Sequence, residues 1–480
     1  MSVCRMSVLS EEDIETVHEK TLEILDETGV KIKSEAALDM LEHGGAIVDW
    51  EIMSAYIPEY MVDDAVKKLP KEITLCGRLP GRDISAPKPG PPYMATNGTA
   101  VYITDLETGV RRTSMGRDLR DLMLVCDSLE ALDYAWPLVT AHDGPERAHG
   151  LNDLAIALQA TSKHFQGEAM SAVEARAMVL MASAVVGGEE ELARRPIFSV
   201  VQCPICPLEF EKGSVEATME FARSGIPVVS MSMALCGLTS PVSLASTIAI
   251  VNAENLASFV ISQLAKPGAP VVYSSESSVI NMRTGEIRYG AMEQALTAAA
   301  VAQMAKRYGA PTMVGSFGVG LHGDAPGITA DPAELAFTMM TNLSLTDFAS
   351  GLGGIDQAKG ASLEQLVIDS DIWESMRQVR RDVSFEDEDF LIDLIDSVGP
   401  GGNFLNVPHT ARNMRRELFI PDKAKADLYE TYRLDGDQKK AVSAARERVR
   451  NILSVHEPEP IEPDAVKEIQ RILDAYRKGA

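Results

Sequence analysis

Carboxylates, thiols, one histidine-bearing loop and a few aromatics are the groups in this chain whose types and spacing could do chemistry. Glu276 falls directly after a strand-type run, APVVYSS, and Gln166 and Glu168 fall near the end of another, HFQGEA. Parallel α/β folds put their chemistry at the carboxyl ends of strands, so carboxylates there are candidates for function. Cys203-Pro-Ile-Cys206 ends a further strand, and Cys236 follows the next. Neighbouring strands would bring these three thiols together as a weak Zn²⁺ candidate without a fourth ligand; the alternative is ordinary buried thiols. Gly318-Val-Gly320-Leu-His322-Gly323 has dinucleotide-loop spacing. Such a loop must open a helix inside the motif. Here Asp324-Ala-Pro-Gly327 intervenes, and the helix is expected near Asp331-Pro332. The better reading is a loop presenting Phe317, His322 and Asp324.

Aromatics are only 5% of the chain, so their placement carries information. Tyr93, Phe165, Tyr273, Phe317 and Phe348 fall in or near strand runs, and Phe404 in a Gly-rich tail. An aromatic at a barrel mouth holds a quaternary ammonium ion by cation–π attraction; one inside the barrel fills the core. Phe317, at a strand end beside the loop, is best placed for the first role. His142 with Asp143 is a rim candidate. His164 reads as a core residue, and His18, His43 and His456 as surface residues.

The elements that must position these groups alternate in type. Residues 226–293 read as strand, loop, long helix, strand, loop and helix, a βαβ unit with parallel strands. From Tyr93 onward the predicted strands are 99–104, 131–138, 164–169, 197–202, 226–233, 269–275, 311–317 and 346–351. Helices are predicted at 117–129, 149–161, 172–186, 210–223, 243–265, 291–307 and 331–343. Eight strands, each followed by a helix, count to a TIM (β/α)8 barrel, with an open doubly wound sheet as the structural rival. Residues 1–92 read as a helical N-terminal region ending in a Pro/Gly-rich linker at 76–93. The barrel is expected over 93–360, and a helical extension with a Gly-rich turn over 361–480.

Bulk properties narrow the function. The net charge of −25 argues against nucleic acid as a ligand, because phosphates need a basic patch, and disfavours anionic membranes. No apolar run in the sequence approaches the ~20 residues of a membrane span. The acidic N-terminus has no secretory h-region. Six scattered cysteines suit a reducing cytoplasm better than a disulfide framework.

Several ordered motifs carry a family resemblance. GLTSPVSL, NAENLA, QLAKPGAPVVYSS, MRTG and GAMEQA are similar to the signature run of the trimethylamine methyltransferase family. HEKTLEILDETGVKI, VYITDLETGVRRTS, DLRDLMLVCDSLEALDY and GPGGNFLNVPHTARNMRREL resemble its other segments, so the likeness spans nearly the whole chain. The resemblance implies a TIM barrel that moves a methyl group from a methylated amine to the cobalt(I) of a partner corrinoid protein. No tightly bound cofactor is implied, since the partner supplies the corrinoid. Family members acting on trimethylamine carry pyrrolysine on the loop after strand seven. Here that loop reads SFGVGLHGDAPGITADPAEL, without pyrrolysine and without the usual Thr-Asp-Ser-Lys-like pattern. Pyrrolysine-lacking relatives act on quaternary amines such as glycine betaine. On that reading Phe317 and Phe165 contact the ammonium, Glu276 offsets its charge, and His322 and Asn97 orient the polar tail. Gln166 and Asp324 complete the substrate set, with His322 and Glu276 as the catalytic pair. A homo-oligomer is expected. Two rivals stay open: another barrel enzyme, such as a lyase or a zinc methyltransferase using the cysteines, and a non-catalytic betaine-binding barrel.

Overall fold

The computed structural model describes residues 6–144, 148–316, 318–381, 383–421, 429, 431–432 and 436–479. Eight parallel strands close into a barrel. They are β1 (Tyr93–Thr96), β2 (Tyr134–Ala135), β3 (His164–Gly167), β4 (Phe198–Gln202), β5 (Val228–Ser232), β6 (Val271–Ser275), β7 (Thr312–Ser316) and β8 (Phe348–Leu352). Phe348 of β8 sits opposite Tyr93 of β1, which seals the ring. The eight barrel helices begin with Gly116–Ser128 and end with Leu363–Met376.

Alternation along each strand decides what each residue meets. In β5 and β6, Val229, Met231 and Val272 join the core inside the barrel. Val228, Val271 and Tyr273 join the larger core between strands and helices. The β-branched runs suit this double burial. Leu244–Ala265, which links β5 to β6, is capped by the Ser243 hydroxyl. It is long and apolar enough to cross a membrane by composition, contrary to the expectation from sequence, but most of it is buried against the barrel. Its buried Asn255 donates to Val251 O and Ser274 O, at 2.9 and 3.0 Å, as a core-helix amide must.

Four sequence expectations need correction. The first barrel strand is Tyr93–Thr96, not 99–104. Tyr102–Thr104 lies outside the barrel, paired with Arg111–Thr113 and Gly360–Ala361. The true β1 is short, mostly buried and preceded by prolines, so it lacks both length and alternation as signals. The expected linker holds a strand: Ile84–Ala86 pairs with Ile73–Leu75, and this hairpin joins the inner barrel core. Its ends bond the starts of β3 and β4, since Arg78 N donates to Ser162 O and Cys76 N to Pro196 O. The hairpin therefore plugs the amino-terminal end of the barrel. The N-terminal region is mixed rather than helical, with Val30–Ile32, Ile47–Asp49 and Ser54–Tyr56 in a small sheet. Leu363–Met376, expected in the C-terminal extension, is the eighth barrel helix.

The last two helices, Gln438–Val455 and Pro463–Gly479, pack back on the barrel's outer layer. Arg448 anchors the first of them on the buried Asp371 carboxylate at 2.7 and 2.9 Å. Between them and the barrel, residues 385–420 expose Phe385, Phe390, Ile392, Ile395, Phe404, Leu405 and Leu418.

Candidate active site

The carboxyl ends of the strands open on a cavity of about 770 Å³. β1 and β2 contribute Asn97, Gly98, Thr99 and Trp136; β3 and β4 contribute Glu168, Val201 and Cys203; β5 contributes Met231 and Met233. The loop after β6 adds Glu276, Asn281 and 286–289, that after β7 adds His322, and that after β8 adds 356–359. Two small sheets crown this mouth. Ser278–Ile280 pairs with Ile287–Arg288 and Leu235–Cys236, carrying Arg288 and Tyr289 over the opening. Gly354–Ile355 and Gly360–Ala361 form a second hairpin whose turn is Asp356-Gln357-Ala358-Lys359.

That turn is strained. Asp356, Gln357 and Ala358 all have left-handed backbones, at φ +48°, +54° and +62°. A run of non-glycine residues there costs ~1–2 kcal/mol each. Hydrogen bonds hold it: Asp356 N donates to Gly323 O at 2.7 Å and Gln357 N to Leu321 O at 2.6 Å. The Tyr102 hydroxyl donates to Asp356 Oδ2 at 2.9 Å, and Tyr289 N to Gln357 Oε1 at 3.3 Å. The turn thus ties the loops after β6, β7 and β8 together, and strain of this kind concentrates at functional sites.

Trp136 is fixed by an exchange with Thr96. Thr96 Oγ1 donates to Trp136 O at 2.5 Å and accepts from Trp136 N at 2.8 Å. Gly98 lets the indole close, since a Cβ there would stand 3.0 Å from the ring. The indole Nε1, Asn97 Nδ2 and Gln166 Nε2 are buried donors with no hydrogen-bond partner among the described residues.

Carboxyl groups outnumber cations around the centre, with Glu168, Glu276, Glu286 and Asp356 against Arg288 and Lys359. The Ser350 hydroxyl donates to Glu276 Oε1 at 3.2 Å. Burial, then the charge of Glu174, pushes the Glu168 carboxyl above the usual range. Cys203 reaches water in the mouth, yet its thiol is pushed up to about 12. Its recessed surroundings are the main cause, followed by the charges of Glu168, Glu276 and Glu254. Only the carboxylates' share of that shift favours a cation, because burial penalises charge of either sign. His322 is exposed at the rim with Nδ1 2.9 Å from Glu334 Oε2. Glu334 closes a capping box with Asp331 at the start of Pro332–Leu343. Burial raises the Glu334 carboxyl to about 7, against the hydrogen bond it accepts from Asp331 N, which lowers it.

Of the residues singled out from sequence, the cavity brings together Asn97, Glu168, Glu276, His322 and Cys203. Gln166 lies between His164 and Glu168 on the inward face of β3 and is fully buried. Phe165 is misplaced by the sequence reading: it points outward into the helix-facing core, and a Cβ on Gly167 would meet both its ring and Met178. Tyr273 also points outward, donating to Asn252 Oδ1 at 2.8 Å. Asp324 is exposed and outside the cavity. Phe317 lies outside the described residues. The aromatics that do line the mouth, Trp136 and Tyr289, were missed. One of only three tryptophans, placed at a strand end, was the available signal.

The cysteines do not converge. Cys206 donates to Glu254 Oε2 at 3.0 Å, and Cys236 to Pro241 O at 3.4 Å. Among the described residues no three His, Cys, Asp or Glu side chains are arranged to hold a metal ion. The glycine motif is explained by packing, since a Cβ on Gly320 would collide with Gln365. His164 is a core residue as expected, with Nδ1 and Nε2 each 2.9 Å from Cys76 O and Ser199 Oγ; burial lowers its pKa to about 4. His18 is not on the surface: it is buried, 3.0 Å from the Tyr308 hydroxyl. His456 reaches back to Asp127 Oδ2 at 2.8 Å.

The sequence profile of the trimethylamine methyltransferase family matches residues 1–479. This chain belongs to that family. It is 30% identical to a trimethylamine methyltransferase of Desulfitobacterium hafniense over 97% of this chain and 93% of that protein. It is 31% identical to one from Methanosarcina thermophila over 97% of this chain and 96% of that protein. A glycine betaine methyltransferase of Desulfitobacterium hafniense is 28% identical over 98% and 97%. The crystal structure of the Methanosarcina barkeri monomethylamine methyltransferase superposes with a TM-score of 0.55 at 11% identity. It covers 99% of this chain and 88% of that one, a likeness of fold. Family membership makes the chain a methyltransferase of the methylamine and betaine group.

Proposed function

We propose that this chain moves a methyl group from a quaternary, betaine-type amine to the cobalt(I) of a separate corrinoid protein. The observation that carries the reading is the barrel-mouth cavity itself: aromatic and thioether walls from Trp136, Tyr289, Met231 and Met233, with the carboxylate of Glu276 and the carboxyl group of Glu168 beside them. Aromatic faces and nearby carboxylates attract a quaternary ammonium ion without donating a proton to it. A quaternary nitrogen is already a competent leaving group. As the N–CH₃ bond breaks, its electron pair stays on nitrogen and the positive charge there vanishes. Apolar walls therefore favour the transition state over the charged ground state. The protein needs to orient one N–CH₃ bond toward the opening and exclude water around it. Glu276 balances the ammonium on binding, and His322, oriented by Glu334, sits at the rim where the acceptor protein arrives.

The corrinoid is a second substrate carried by its own protein. The same reading assigns a reducing cytoplasm, where cobalt(I) survives and these thiols stay free. It also assigns self-association, supported by the apolar side chains exposed over 385–420. The test is methylation of a cobalt(I) corrinoid, followed by its visible absorbance, with glycine betaine, choline or trimethylamine as donor. A quaternary donor active where trimethylamine is silent is the expected result. Activity with trimethylamine alone would defeat the assignment.

A further inference from the structure

We propose that the segments after β3, β4, β5 and β6 form an apolar docking face beside the barrel mouth, and that its occupant is the protein that carries the corrinoid. The inference rests on the methyl-transfer reading above and says where on this chain the acceptor sits.

Large hydrophobic side chains are exposed along one arc of the rim. β3, β4, β5 and β6 are successive neighbours in the barrel. The segments leaving their carboxyl ends expose Met170, Val173, Ile205, Leu238, Val242 and Met282. Val242 is 78% exposed and Met282 73%. Among the described residues, the loops after β2, β7 and β8 expose no large hydrophobic side chain. The arc is ordered at its centre. Leu235 and Cys236 pair in parallel with Ser278 and Val279, which fuses the loops after β5 and β6 into one sheet. A Cβ added at Gly237 would lie 3.1 Å from Met282 Sδ, 3.3 Å from Ile280 Cγ2 and 3.4 Å from Val242 Cγ2. Three apolar side chains from two loops therefore converge on one glycine. They wall an open groove of about 440 Å³. Asn281 and Arg288 line both this groove and the mouth cavity, so the two are continuous.

Charge sets the same region apart. Residues 233–253 carry no charged side chain. On the hairpin after β6 and the helix it leads to, Arg283 and Arg288 offset Glu286 and Glu293. This half of the arc is thus close to neutral on a chain of net charge −25. Another protein reaches it without meeting the long-range field of the whole chain. An exposed, contiguous apolar patch of this kind marks an interaction site.

Methyl transfer decides the occupant. With the amine in the cavity, cobalt(I) must approach the methyl carbon in line with the C–N bond. Cobalt supplies the electron pair of the new bond, and the C–N pair leaves with the amine. The corrinoid is held by a protein too large to enter the cavity, so that protein must cover the opening and grip surface next to it. It must also leave after each transfer. A small apolar face suits such a transient complex, at under ~1,200 Å² of total buried surface. A second copy of this chain held here would seal the mouth.

The test compares two acceptors on the purified full chain, with the amine found active in the assay above as donor. One is free cob(I)alamin. The other is a cobalamin-loaded corrinoid protein from Desulfitobacterium hafniense, the source of two relatives of this chain. Val242→Glu combined with Met282→Glu puts two carboxylates in the face, and neither residue lines the mouth cavity. The double variant should raise KM for the corrinoid protein at least ~10-fold, with kcat within about threefold and the rate on free cob(I)alamin unchanged. Val110→Glu, on the rim after β1, should keep the wild-type KM. If the double variant does not fold, Val242→Ser alone should raise KM about threefold. An unchanged KM would overturn the face, as would an equal rise with Val110→Glu. Equal loss on both acceptors would overturn it too, since the residues would then shape the mouth. A variant that sediments as a different oligomer from wild type would give the face to a second copy. Turnover of free cob(I)alamin with none of the corrinoid protein would overturn the face and leave the methyl-transfer reading standing. No turnover of either acceptor by wild type would sink both.

Discussion

The two ends of the barrel interior are built from the same strands and opposite materials. At the amino-terminal end, Tyr93, Tyr134, Val229, Val272, Met313 and Phe348 pack with Ile73, Leu75, Ile84 and Ala86 of the plugging hairpin. Rings interlock there: Phe348 meets Tyr93 at 5.8 Å between centroids and Tyr134 edge-on at 5.9 Å. Only a few residues further along the same strands, the inward positions are Asn97, Gln166, Glu168, Cys203 and Glu276, and polar atoms replace methyl groups. One end contributes hydrophobic stability, and the other holds charge and unpaired donors at some cost to it. Substitutions at the two ends should therefore separate stability from chemistry.

The largest effect is expected at the plugged end. Phe348→Ala should lower unfolding free energy by ~3–5 kcal/mol in a urea titration, through lost burial and an unfilled cavity. A loss under about 1 kcal/mol would mean the ring is not part of a close-packed core. At the mouth, Glu276→Gln should leave the urea midpoint close to wild type and cut kcat/KM for methyl transfer by ~100-fold, an effect of charge placement. Should stability and activity fall together, the division between the ends is wrong.

The rim offers a smaller, pH-dependent contrast. The folded-state pKa of Glu334 is raised above its unfolded value, to about 7. Its favourable contribution is thus fully present below the unfolded value and is lost as pH rises through about 7. Glu334→Gln removes that loss, so relative to wild type the variant should melt higher at pH 8 than at pH 5. An unchanged difference between the two pH values would show that burial does not raise this carboxyl. The smallest effect belongs to the left-handed turn. Ala358→Gly relieves one strained residue and should add up to ~1 kcal/mol of stability, read as a rise in Tm. If Tm falls instead, the turn is rigid for reasons other than its hydrogen bonds.

The sequence was legible where a local pattern reflects a local cause. Strands β3 to β8 and the helices after β3 to β7 were found because β-branched runs, helical stripes and glycine or proline breaks are written within ten or twenty residues. Glu276 and Glu168 were found by their position just past apolar runs. β1 was missed because YMAT is too short to show a period, and the plug because Pro and Gly around Ile84 imitate a linker. Phe165 and Tyr273 were read for type and strand position, but a single residue of register decides whether a side chain enters the barrel or faces the helices.

What the sequence by itself determined is the class of this protein: an acidic α/β barrel, carrying the ordered motifs of a methyltransferase family and a carboxylate after the sixth strand. Only the tertiary structure decided which of its residues meet. Trp136 and Tyr289 stand more than a hundred residues apart in sequence, and the left-handed turn at 356–358 has no glycine to announce it. Barrel closure brings these positions to one mouth, and it leaves Cys206 and Cys236 bonded to different neighbours. Contacts across a closed sheet depend on register and closure, which no local run of residues encodes.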